Sequence, residues 1–244
     1  MEIQKTELHI ENYILEVERS IYEPIVDRDV GRMPVDALKA FFLLLPLLNG
    51  ERWNNHLEAV AIAVGAVHAA FDAHDSIDLS DATSRQRQLA VLAGDHFSGV
   101  HYRLLASLPD FGFIRSLSGT IGHINEMKTT FHDRSPDGPA QLIETVRTIE
   151  AGCITDFLRT YGFSEYVPLA SAALPLLWLD RRKTDGNFDW YARSGRGMNI
   201  ADADRAAAML HAEMQEAVDA ADFLEPFLQQ KIRNLATPLL GKLN

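Results

Sequence analysis

Apolar residues recur at steps of three and four along nearly the whole chain, and no stretch of useful length alternates in the two-residue rhythm of a strand. That regularity leaves packed helices as the only economical fold. Ile10, Tyr13, Ile14, Val17, Ile21 and Ile25 form a first stripe with charges between them. Leu57, Val60, Ala61, Val64, Val67 and Ala70 form a second, inside "AVAIAVGAVHAAFDAH". Its many Ala and Gly residues let neighbouring helices approach closely, as suits a helix at the centre of a bundle. Further helices are expected at 84–108 (capped by Thr83 or Ser84), 111–134, 140–160, 164–180 and 202–224, with a last one ending near Pro238. "SPDGP" separates two of these, and the polar, glycine-bearing stretch 181–199 reads as a loop. No repeat and no linker interrupts the pattern. The expectation is an all-α bundle forming one domain over residues 1–244, with about eight to ten helices.

The 244 residues are 47% hydrophobic and 23% charged, so a packed core needs no staples. A net charge of −11 argues against a general nucleic-acid binder and against adsorption to anionic lipid, while leaving room for local diphosphate binding by a few arginines. The single cysteine, Cys153, excludes an internal disulfide and reads as a small buried hydrophobe. The longest apolar run, "AFFLLLPLLNG" at 40–50, is too short for a bilayer and reads as a buried helix kinked or stopped near Pro46. With no signal-like N-terminus, a soluble cytoplasmic protein is expected.

The stretch "FDAHDSID" (71–78) carries Asp72, Asp75 and Asp78 at three-residue steps, with His74 beside the middle one. Each step turns a helix by about 60°, so neighbouring carboxylates can share a cation but all three converge poorly. Mg²⁺ commonly takes one or two carboxylates, so Asp72 with Asp75 is a candidate pair. The plainer alternative is a solvated acidic face running on to Asp81. A third reading takes His74-Asp75 as part of an all-α metal-dependent phosphohydrolase, with ligands from other histidines such as His56, His68, His96, His101, His123 and His132.

Residues 56–108 taken together resemble the trans-isoprenyl diphosphate synthases. The carriers are His68, His74-Asp75 and "AVLAGD" (90–95), within "RQRQLAVLAGDHFSG". In that family a helix bears D-D-x-x-D, whose carboxylates aim at a shared Mg²⁺ cluster. Read from Asp75, the corresponding positions hold Asp75, Ser76 and Leu79, so one ligand of three survives. No second D-D-x-x-D follows; the nearest candidate, "WLDRRKTDGNFD", has Arg181 after Asp180. The basic G-K-R-x-R-P element is missing as well, with "GRMP" (31–34) as its only candidate remnant.

A narrower resemblance, over about residues 56–135, is to the small subunit (component 1) of bacterial heptaprenyl diphosphate synthases, carried by 71–75, "RQLAVLAGDHFSGVHYRLLA" and "INEMKTTFHDRS". It implies an isoprenoid-synthase-like chain, inactive alone, holding no cofactor itself and paired with a catalytic large subunit (component 2) that binds Mg²⁺. Such a pair extends farnesyl diphosphate with isopentenyl diphosphate toward the menaquinone side chain. The resemblance places Arg85 and Arg87 near diphosphate-contacting arginines. The loop arginines Arg181, Arg182, Arg193 and Arg196 are weaker candidates. Gly94 and Gly99 are expected at close helix crossings, and Asp95 at a bond to a neighbouring helix end. The competing expectations are the phosphohydrolase and a homodimeric isoprenoid-binding protein.

Overall fold

The computed structural model describes residues 2–76, 84–184 and 200–240, and no strand occurs among them. Asp78, Leu79, Asp81, Thr83, Arg193 and Arg196 lie outside the described residues, as does the side chain of Ser84. The chain divides into two compact units, Met1–Ile114 and Arg115–Asn244.

The first unit is built around α5. Its elements are α1 (Glu2–Ile21), α2 (Pro24–Asp29), α3 (Ala37–Leu43), α4 (Leu45–Leu48), α5 (Asn55–Asp75), α6 (Ser84–Ala106) and the start of α7 (Phe111–Asp133). Both α1 and α6 pack on α5. All six members of the second apolar stripe are buried, and the helix hides its small residues as well, down to Ala73. Length and mean hydropathy (1.2) would let α5 cross a membrane, but 72% of that stretch is buried inside the protein, as befits a core helix.

Close approach explains the Ala and Gly content of α5. A Cβ added at Gly65 would sit 2.6 Å from both the Tyr13 hydroxyl oxygen and Val17 Cγ2 of α1. The Tyr13 hydroxyl donates to the Ala61 carbonyl at 3.0 Å. Burial pushes that phenol far above its ordinary range, so it stays a neutral donor.

Helix boundaries follow local chemistry. Leu44 ends α3, and Pro46 lies in the first turn of α4, so the buried run 40–45 breaks where proline removes a helical donor. Asp36, Asn54 and Glu23 cap α3, α5 and α2 through their side chains. Asp110 accepts from the Phe113 amide at the start of α7 at 3.0 Å and also faces His56 Nε2 at 3.1 Å. One expectation fails here. Ile25 is exposed, because α1 ends at Ile21 and α2 restarts at Pro24 with its own phase. Ile10, Tyr13, Val17 and Ile21 are buried as the stripe requires.

The second unit holds the rest of α7 with α8 (Gly138–Thr160), a 3₁₀ turn (Ser164–Tyr166), α9 (Val167–Thr184), α10 (Ile200–Asp219) and α11 (Pro226–Leu240). Gly138 at φ +80° and Pro139 in the first turn of α8 account for the break read in "SPDGP". Helices α8, α9 and α10 pack on one another around Ile149, Phe157, Leu176 and Leu210, and Cys153 is fully buried among them. Asp156 of α8 accepts from Ser116 at 2.5 Å and Thr120 at 3.1 Å on α7, and Arg147 bonds Glu213 of α10 at 2.5 Å.

Two boundaries differ from the sequence reading. Helix α9 runs on through 181–184, where a loop was expected, and the Arg182 guanidinium lies 5.3 Å over the Trp178 ring one turn back. Helix α10 stops at Asp219, five residues early, ahead of Pro226, which opens α11.

Gly65→Ala tests the close crossing of α1 and α5. The methyl group meets a fully buried valine that has nowhere to move. Overpacking therefore outweighs the gain of about 1 kcal/mol in helix propensity. Urea unfolding is expected to show a net loss of about 1–2 kcal/mol; equal or higher stability would contradict the packing.

Candidate functional site

The place of the family's aspartate motif is the last turn of α5. Ala73 is buried, which turns His74 outward over α6, while Asp72, Asp75 and Ser76 are half-buried around it. His74 settles over Gly94. A Cβ there would come within 2.5 Å of Cε1 and Nε2 of its ring, so the imidazole occupies the notch that the glycine leaves open. One residue on, Asp95 Oδ1 lies 3.8 Å from His74 Nε2. Two motifs some twenty residues apart in sequence are thus one contact in space. Both partners are substantially exposed, 41% and 66%, so the pair adds little stability.

This arrangement does not fit a Mg²⁺ cluster. The second motif position is Ser76, whose hydroxyl donates to the Ala73 carbonyl of its own helix at 2.7 Å. Among the described residues no three His, Cys, Asp or Glu side chains converge as a metal site. The histidine ligands a phosphohydrolase would need are dispersed: His56 faces Asp110, while His68 and His101 are buried in the core.

The arginines are at the start of α6. Arg85 and Arg87 are exposed, and the Arg85 guanidinium lies 3.8 Å from Asp29 Oδ2. Arg28 binds Asp29 bidentately at 2.7 and 2.8 Å, and that hydrogen bonding, aided by Arg85, holds the Asp29 carboxyl below the usual carboxylate range. In "GRMP", Gly31 takes φ +99°, and Arg32 lies 3.6 Å from Glu18 and 4.0 Å from Asp27. Arg181 and Arg182 belong to the last turns of α9 and are distant in sequence from all of these.

Gly99 corrects the sequence reading. A Cβ added there meets nothing within 4 Å, so among the described residues this glycine serves no helix crossing. It lies on the outer side of α6, one turn from exposed Tyr102. The Asp110–His56 contact and the Asp156 cluster went unforeseen, since neither follows from a motif or a period. An aspartate before a helix start was the available signal for Asp110.

Comparison with known proteins defines first the class and then the family. The chain superposes over 98% of its length on a geranylgeranyl pyrophosphate synthase from Lactobacillus brevis, covering 97% of that chain, with a TM-score of 0.69 at 12% identity. It also superposes on an isoprenoid synthase family member from Thermotoga neapolitana, with a TM-score of 0.67 at 14% identity, covering 97% and 98% of the two chains. The fold is that of the isoprenoid synthases. Residues 18–185 match the family described as heptaprenyl diphosphate synthase (HEPPP synthase) subunit 1, and the chain belongs to that family. It is similar to heptaprenyl diphosphate synthase component 1 of Geobacillus stearothermophilus, 35% identical over 97 residues, or 40% of this chain and 44% of that one. The match thus spans less than half the length of that relative.

The two glycines of α6 give distinct expectations. Gly94→Ala displaces only an exposed imidazole, so its strain offsets the propensity gain and stability changes by less than about 1 kcal/mol. The His74 ring resonances shift in the same variant. Gly99→Ala meets open space and stabilises by up to about 1 kcal/mol. Thermal unfolding of the pair checks both, and a large loss at either position would refute the geometry.

His101 is 3% exposed, and its Nδ1 has no hydrogen-bond partner among the described residues. Desolvation by burial lowers its pKa from 6.5 to about 4. Because the folded pKa lies below the unfolded one, its neutral form is favoured on folding, and stability falls as pH drops from 6.5 toward 4. The loss is about 3 kcal/mol from this group. In His101→Leu that component vanishes, so the stability difference between wild type and variant must change over this pH window. A constant difference would contradict the burial.

Proposed function

We propose that this chain is the non-catalytic, regulatory subunit of a heterodimeric long-chain prenyl diphosphate synthase. The observation that carries the reading is the isoprenoid synthase fold with Asp75-Ser76 where the metal-binding carboxylates belong, in a chain of the subunit 1 family. A partner large subunit would bind Mg²⁺, the allylic diphosphate and isopentenyl diphosphate. This chain would activate it and help set product length, serving extension of farnesyl diphosphate to the heptaprenyl product for the menaquinone side chain, in the cytoplasm.

The physical logic is shelter for a growing hydrocarbon. Each isoprene unit taken out of water contributes several kcal/mol at about 25 cal/mol per Å² of apolar area. A second helical subunit adds wall to the cavity that holds the product. Arg85 and Arg87 are candidate diphosphate contacts in that assembly, with Arg85 released from Asp29 on binding.

The test is reconstitution. The chain is incubated with labelled isopentenyl diphosphate, farnesyl diphosphate and Mg²⁺, with and without the large subunit from the same genome. Long-chain product is expected only from the mixture. Turnover by this chain alone, or no effect of this chain on the product of the large subunit, would refute the proposal.

A further inference from the structure

Helix α1 carries a second apolar row that nothing among the described residues covers. Leu8, Leu15 and Tyr22, the last directly after the helix end, recur every seven residues and are each about half exposed. At 100° per residue they lie on the side of α1 opposite the buried Ile10 and Val17. A seven-residue apolar repeat is the pattern by which one helix receives another.

The row borders a cavity of about 330 Å³. Leu15 and Tyr22 line it together with Ile21, Val26, Met33 and Phe97, and five charged residues, three carboxylates and two arginines, complete most of the rest. Exposed Ile25 extends the apolar surface past the end of α1. A cavity of this size beside a helix-sized row suits a large side chain inserted from a helix laid along α1.

Charge restricts the occupant. Residues 2–29 carry eight carboxylates and three cations, a net charge of −5, close to half the −11 of the whole chain. Anionic lipid and nucleic acid are repelled by such a surface. A second copy is the competing occupant, since α6 carries Arg85, Arg87 and Arg103 against Asp95. Two chains of −11 each repel at long range, however, whereas a basic partner is steered in.

We propose that the outer row of α1 and the adjoining cavity receive a basic amphipathic helix of the catalytic partner subunit. This rests on the subunit reading above and gives it an address. An apolar side chain of the partner fills the cavity, and its flanking Lys or Arg residues meet the carboxylates of α1.

Affinity of the full chain for the large subunit, measured by calorimetry at low and moderate salt, tests this. Leu15→Glu is expected to weaken binding roughly tenfold or more. Glu7→Lys with Glu11→Lys, both at exposed positions, is expected to weaken it several-fold and to flatten its salt dependence. Circular dichroism and the melting temperature show that the variants fold, and the charge reversals serve if Leu15→Glu does not. Wild-type binding that both variants retain would overturn this inference and leave the subunit reading intact. No binding by the wild type would overturn both. A wild-type homodimer that Leu15→Glu dissociates would assign the row to a second copy and overturn the proposal.

Discussion

How closely two helices can approach α5 governs the first unit. At one crossing Gly65 lies under Tyr13 and Val17 of α1; at the other, His74 of α5 reaches into the notch at Gly94 of α6. A side chain at Gly65 would push α1 outward, whereas one at Gly94 would displace the exposed His74 ring. Ala66, Ala69, Ala70 and Ala73 of α5 share a buried cluster with Ile21, Val26, Ala93, Phe97 and Val100, so the spacing fixes how α1, α2 and α6 meet. The cavity lined by Phe97 and Val26 adjoins this cluster.

The same contact shows what holds the motif region in place. In this chain the last turn of α5 is held by packing: Ala73 in the core, His74 over Gly94, and the Ser76 hydroxyl turned back to its own helix. None of these contacts needs a cation. Packing holds the helical turn that carries Asp75, and the next motif position is Ser76 in place of a carboxylate.

Much of the fold was legible in the sequence because helical periodicity reports burial directly, as the wholly buried stripe of α5 shows. Periodicity fails where phase resets. Ile25 continues the α1 pattern on paper, but Pro24 starts a new helix and turns it outward. Polar composition misled at 181–184, where the Arg182–Trp178 contact accompanies a further helical turn. At the site, Gly94 and Gly99 look alike in sequence. Only the fold shows that one lies under a ring and the other faces open space. The contact between Asp95 and His74 and the cavity beside α1 depend on tertiary placement, which local pattern does not encode.

The chain has the synthase fold, and the proposal that it lacks the metal-dependent substrate site can be tested on the isolated chain. The most direct measurement is titration of the isolated chain with a non-hydrolysable farnesyl diphosphate analogue, with and without Mg²⁺, read by calorimetry. The account predicts no Mg²⁺-dependent binding. Stoichiometric binding that requires Mg²⁺ and is lost in Asp75→Asn would contradict it, because a working metal site would then reside in this chain.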